Sequence, residues 1–289
     1  MRASLVALVV LLGAATSPSI ARAESPATGG TLGAIARRGV LRVGMYPALA
    51  PFVAAGPDAD ELCRLSRANG PLQHATDGRA VAGFDVDLAA AAAHALDARL
   101  EIVLVDRFDD LLPGLANGRY DVVMSGLTRT LARARTVAFS DPYFASGLQV
   151  LTRANARFAA LASLAAAHAT VAVRAGTTAE SFARTTLAGV TVRALGTDAA
   201  VFAAVDRGDT DAAVIDYISA RDAEVRGQLR APLQALEDRR FTVEHFAFAV
   251  RHGDGDWLGW LNLMLRESKA SGEFHALAAR YNAWFRSER

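Results

Sequence analysis

"GFDVDLAAAAAHALDARLEIVLVDRFDDLLPGLANGRYDVVMSG", residues 83–126, states one pattern twice: a helical run, then an apolar strand. The Ala- and Leu-rich part predicts a helix over 86–96, and "LEIVLV" a strand over 100–105. "FDDLLPGLANG" predicts a second helix stopped at Gly118, and "DVVM" a buried strand over 121–124. Alternation of this kind predicts an α/β class with a largely parallel sheet, because a crossover between parallel strands is most simply a helix.

The same pattern extends in both directions. Upstream, "TLGAIARRGVLRVGM" predicts a short helix closed at Gly39 and a strand over 41–44. From Thr170 onward it restarts: strand "TVAV", turn "RAGTTAE", helix "SFARTTL", strand "VTVRAL", helix "DAAVFAAVDRG" and strand "AAVID". Two comparable α/β units are implied. A strand in "EHFAFAV" and amphipathic helices over 257–285 complete the chain, with Trp257, Trp260, Phe274, Tyr281, Trp284 and Phe285 spaced for core packing. One segment interrupts the rhythm. Residues 53–82, rich in Gly, Pro, Asp and Asn, read as a surface excursion with a helical turn or two over 61–66, either a bland loop or a lid or partner surface.

Composition removes several function classes. Residues 1–23 carry Arg2, an apolar run and a small-x-small site at Ala21-Arg22-Ala23, the pattern of a cleaved export signal, so the mature chain is expected to start at Glu24. Its loss removes two arginines and no acid, taking the net charge from +1 to −1. A near-neutral chain argues against nucleic acid, whose binding needs a concentrated positive excess. No later stretch approaches the length of a membrane span. Cys63, the only cysteine, can form no intramolecular disulfide, and Lys269, the only lysine, leaves little room for Schiff-base chemistry. There is no G-K-[ST] phosphate loop and no G-x-S-x-G elbow; the six histidines lack metal-ligand spacing, so no metal and no cofactor is expected.

The residues left for chemistry stand at strand-to-helix turns, where open α/β sheets bind ligands. Arg129, Arg133 and Arg135 crowd the segment after strand 121–124. If a short helix starts after Thr130, Arg133 can face the crevice while Arg135, two residues on, points elsewhere and Arg129 is solvated or paired. A guanidinium fork suits a carboxylate ligand, although a salt bridge to Asp141 would serve Arg133 equally. In "AGTTAE", Thr177 and Thr178 can hydrogen-bond a carboxylate, while Thr177-x-x-Glu180 also matches a capping box. Asp216, closing an apolar strand, can accept from a ligand ammonium group or cap the next helix.

In sequence order, "GVLRVGMYPALAPF", "GFDVDLA", "NGRYDVVMSGLTRTLARARTVAFSDPYF", "AGTTAE" and "DAAVIDY" resemble the periplasmic solute-binding proteins of polar amino acid ABC transporters over nearly the whole mature chain. The resemblance implies a two-lobed periplasmic-binding-protein fold, each lobe a sheet flanked by helices. Lobe 1 would be 30–147 plus 242–289 and lobe 2 148–241, joined by two hinge strands. It implies a periplasmic monomer that hands an amino acid or small carboxylate to a membrane ABC permease. Carried onto matching positions, it implies Phe52 beside the ligand, Gly126 and Thr128 as hydrogen-bonding partners, Arg133 as carboxylate clamp, Thr177 and Thr178 at the second turn, and Asp216 as ammonium partner. Phe108 stands where a tryptophan is frequent. Tyr46 and Leu49 replace an acidic residue and a stacking tyrosine, Arg129 replaces an apolar residue, and the 53–82 insertion has no counterpart in the common pattern. The same fold also houses cyclohexadienyl dehydratase, which the chain resembles at "MSGL", at Leu131 to Arg135 and at the glutamate turn; there Glu180 would be the general acid. A soluble accessory or sensor role is the remaining alternative.

Overall fold

The computed structural model describes residues 29–66, 72–229 and 233–285, so residues 1–23, where an export signal is expected, and the last four residues lie outside it. Two five-stranded sheets carry the molecule. In the first, Val40–Met45 pairs in parallel with Arg99–Leu104 and with Val122–Val123, and Ala249–Arg251 and Val137–Phe139 extend it antiparallel. In the second, Thr191–Leu195, Thr170–Arg174 and Ala212–Asp216 run parallel, with Leu148–Arg153 and Leu233–Ala235 antiparallel at the edge. The helix Phe84–Ala95 and the helices Thr178–Thr186 and Asp198–Asp206 stand where the alternation placed them.

Period-2 burial explains why the strand at 212–216 reads as a continuous apolar run. Ala212 and Val214 join Val171 and Val173 in a core on one face, and Ala213 and Ile215 join Ala172 and Leu151 on the other. The C-terminal aromatics are core, as expected: Trp257 and Trp284 are fully buried, and Trp257 donates to the carbonyl of Asp121 at 3.1 Å.

Two expectations are corrected. "EHFAFAV" is two strands. Glu244–Phe246 pairs antiparallel with Phe144–Ser146 on the two chain crossings between the sheets, and only Ala249–Arg251 joins the first sheet. Nor is the 53–82 segment a surface excursion. It forms the helix Pro57–Ser66 and strands of a four-stranded sheet, and Ala59 and Leu62 are fully buried in the first core; residues 67–71 lie outside the described residues. Its Gly, Pro and Asp content masked an amphipathic helix that needed a partner to show its apolar side.

That partner includes the other half of the molecule. Arg226, just past the helix Tyr217–Val225, has a side chain only 3% exposed and reaches Asp58 at 2.9 Å and Glu61 at 3.0 Å on the inserted helix. Its Nε meets Asp222 at 3.1 Å, and Trp284 donates to the same Asp222 oxygen at 2.9 Å. The insertion thus ties the second-sheet half to the first.

Asp85, in "GFDVDLA", fastens the first sheet's helix to the turn after its central strand. Its Oδ2 accepts from the N–H of Gly126 at 2.6 Å and from the hydroxyl of Tyr143 at 2.9 Å. Its Oδ1 is buried without a partner, a place suited to a bound proton, and burial pushes the carboxyl up to about 7 against the two hydrogen bonds. The native state therefore keeps a proton that the unfolded chain releases near pH 4. This stability is fully present below the unfolded pKa and lost as pH rises to about 7, at about 1.4 kcal/mol per pH unit. Urea melts of the ligand-free protein at pH 5, 6 and 7 should show the fall, and Asp85→Asn should remove its share, about 1.4 kcal/mol per pH unit, leaving that of Asp216, whose carboxyl is raised in the same way; a slope unchanged in the variant would show that Asp85 is ionised in the fold.

Candidate functional site

Between the sheets lies a cavity lined by Leu49, Phe108, Gly126, Thr128 and Arg133 from the first half. Leu148, Arg174, Thr177, Thr178, Asp198, Asp216 and Ser219 line it from the second, and Phe246 from a crossing strand. Its volume is about 30 Å³. That holds two or three waters at about 10–15 Å³ each and no amino acid, and bonds from Arg133 to the carbonyl of Gly176 and from Tyr46 to that of Gly196 close the halves on each other.

Arg133 opens a one-turn 3-10 helix, Arg133–Arg135, whose first N–H is capped by the hydroxyl of Thr130 at 3.1 Å. This turn aims Arg133 into the cavity and leaves Arg129 and Arg135 exposed, as the spacing predicts. Half-buried, Arg133 donates to the carbonyl of Thr128 at 2.7 Å and, across the cleft, to that of Gly176 at 3.1 Å. Burial, with the charge of Arg174 adding and Glu244 opposing, pushes it down to about 10, so it remains a cation at neutral pH. Among the described residues it makes no ion pair, because Asp141 is taken by Arg266 at 2.9 Å.

Asp216 takes the capping alternative and also lines the cavity. Its Oδ1 caps the helix Tyr217–Val225, accepting from the N–H of Ile218 at 3.0 Å, and also accepts from Ser146 on a crossing strand. The carboxyl is buried and pushed up to about 7, chiefly by desolvation, with Glu244 and Asp198 adding. Thr178 and Thr128 meet over a group that pattern reasoning missed. Their hydroxyls donate to one oxygen of Glu244, at 2.8 and 2.6 Å, so a carboxylate on the second crossing strand holds a threonine from each half.

Other expected residues sit differently. The ring of Phe52 is fully buried among Phe84, Tyr143, Phe144, Phe246 and Phe285, beneath Gly126 rather than in the wall, and Phe246 takes the wall position. Gly126 lines the cavity at φ 53°, where a Cβ would stand 2.6 Å from Leu49 Cδ2, but its N–H is engaged by Asp85. Thr177 lines the cavity with its hydroxyl turned back to the carbonyl of Arg174 at 2.7 Å, so the capping box is not formed. Glu180 instead accepts from the N–H of Gly176, one residue before the cap, at 2.9 Å, and from Arg184 at 2.8 Å. Those bonds, the Gly176 N–H first and Arg184 after it, hold its carboxyl below the usual range. Glu180 thus stands outside the cavity wall, with its carboxylate engaged by Gly176 and Arg184.

The sequence also missed Arg174 and Asp198, an ion pair at 3.0 Å that ends the strand Thr170–Arg174 and opens the helix Asp198–Asp206. Their one legible signal was position, each at a strand-to-helix junction.

A match to the model of bacterial extracellular solute-binding proteins, family 3, covers residues 65–285. A probable histidine-binding protein of Neisseria gonorrhoeae is 31% identical over 211 residues, 70% of this chain and 75% of that protein. A cyclohexadienyl dehydratase of Pseudomonas aeruginosa is 33% identical over 153 residues, 52% of this chain; the chain spans little more than half of that enzyme, 57%. The crystal structure of an ancestral amino acid-binding protein, a precursor of cyclohexadienyl dehydratase, superposes with a TM-score of 0.72 at 32% identity, covering 89% of this chain and 100% of that one. With the two sheets, the double crossing and the cavity between them, these likenesses place the chain in the bacterial extracellular solute-binding proteins, family 3.

Proposed function

We propose that this chain is an exported receptor that closes on an amino acid and presents it to an ABC permease, with lobe 1 as 30–147 plus 242–289 and lobe 2 as 148–241. The relatives named for histidine and for amino acids support that class of ligand. The single observation behind the reading is that one cavity carries a guanidinium with no ion-pair partner among the described residues, Arg133, and a half-buried acid, Asp216, from opposite sides of the cleft. A zwitterion complements both: its carboxylate takes the fork of Arg133, and its ammonium group takes Asp216. Thr178 and Thr128 stand beside these groups, held ready by Glu244.

Ligand entry requires the lobes to part, because the closed cavity is too small for an amino acid. Reclosure is then driven by differential contact. Arg133 bonds the second lobe's Gly176 only when closed, and a bound carboxylate adds a partner that the open form lacks. Asp216, through Ser146, and Glu244, through both threonines, connect the ligand cavity to the two crossing strands on which the lobes hinge.

The test is calorimetric titration with the common amino acids between pH 5 and 8. Asp216 must ionise to meet an ammonium group, so the tightest ligand should release a proton on binding and lose affinity about tenfold per pH unit below 7. A folded protein that binds no amino acid, or that releases phenylpyruvate from prephenate above background, would overturn the reading.

A further inference from the structure

Arg133 and Asp216 account for the two ends of a zwitterion and leave a second set of polar groups on the same wall. Arg174 gives one nitrogen to Asp198 at 3.0 Å. Its guanidinium carbon lies 4.8 Å from the centroid of Phe108 and 5.5 Å from that of Tyr46, and the two rings stand edge to face at 5.8 Å. The side chain is only 7% exposed, yet its Nε has no hydrogen-bond partner among the described residues. Ser219, 5% exposed on the helix Tyr217–Val225, likewise has a buried Oγ without a partner among the described residues. Buried donors are rarely left unmatched, and here two of them belong to residues lining one cavity.

We infer that Arg174, with Ser219 lining the same cavity, selects the ligand's side chain: the site takes amino acids whose side chain ends in an oxygen acceptor, a carboxylate or carboxamide, and turns away those ending in a cation. The inference rests on the receptor reading above. The aromatic faces of Phe108 and Tyr46, which attract cations, are already filled by the protein's own guanidinium. An incoming lysine or arginine side chain would meet that fixed charge, and its obvious partner, Asp198, is already neutralised within a buried pair. A ligand oxygen instead satisfies Nε–H of Arg174 and the hydroxyl of Ser219 together.

Calorimetry of the wild-type chain with glutamate, glutamine, aspartate, arginine and lysine tests this directly. Glutamate or glutamine should bind about a hundredfold tighter than arginine or lysine. Arg174→Gln, checked for folding by its melting curve, should narrow that ratio to about tenfold or less, whereas loss of a merely structural residue would weaken all five ligands alike. Tighter binding of arginine or lysine by the wild type, or an unchanged ratio in a folded variant, overturns the inference and leaves the receptor reading standing; a folded wild type that binds none of the five and no other amino acid overturns both. Should the variant fail to fold, the wild-type ranking alone decides.

Discussion

Arg133→Ala is expected to raise the Kd of the bound amino acid by about a hundredfold or more, since losing one partner of a desolvated ion pair costs about 2–5 kcal/mol. The guanidinium is prepared for that pair. It has no carboxylate partner among the described residues, is lowered to about 10 by burial, and is aimed by carbonyls from both halves of the cleft. Arg133→Lys should recover only part of the affinity, because an ammonium group offers no planar fork. Stability should move the other way. Without ligand, the alanine variant should melt at the same temperature as the wild type or higher, because removing a cation from a desolvated site, where the charge of Glu244 only partly compensates burial, offsets the loss of its bonds to Thr128 and Gly176. Calorimetry and melting curves on the same samples separate the effects. Lost affinity together with lost stability would make Arg133 a structural residue and remove the clamp.

The second large effect lies far from the ligand. Arg226→Met keeps the apolar stem of the side chain but strips the cation from Asp58, Glu61 and Asp222. Breaking a buried ion pair by removing one partner typically costs about 3–5 kcal/mol. Asp58 is 60% exposed and Glu61 34%, so water relieves part of the loss, and about 2–3 kcal/mol is expected. Most of it falls on Asp222, whose carboxyl is already raised by desolvation and would keep only Trp284 as a neutral donor. For a chain of this size the thermal midpoint should fall by about 5–10 °C. Asp58→Asn, at an exposed partner, should shift it far less. A variant at Arg226 that melts with the wild type would mean that the ion pairs from Arg226 to the inserted helix add nothing to stability.

Helix and strand periods in the sequence carried the α/β class, the two sheets and most element positions, because burial on one or both faces writes itself as spacing in the chain. The turn holding Arg133 was legible for the same reason: three arginines after a buried strand, one of them in phase with the crevice, and the structure turns a half-buried Arg133 to the cavity while exposing Arg129 and Arg135. Asp216 was legible as a charged residue ending an apolar strand. What local pattern could not contain was any relation between distant segments. Phe52 reads as a ligand aromatic until Gly126 is laid over it and Phe246 arrives from more than a hundred residues away. Glu180 reads as half of a capping box until the loop lets it reach one residue further, to Gly176. The 53–82 segment reads as a loop because the apolar side of its helix is defined by the core it meets. Glu244, Arg174 and Asp198 lack any motif, and the junction positions of Arg174 and Asp198 are their only local mark. Glu244 acquires meaning when two threonines fifty residues apart close on it, and the Arg174–Asp198 pair when it settles over Phe108 and Tyr46. Secondary structure depends on neighbours along the chain and is therefore written there, whereas a binding cavity depends on charges and rings that only tertiary packing brings within a few ångströms of one another.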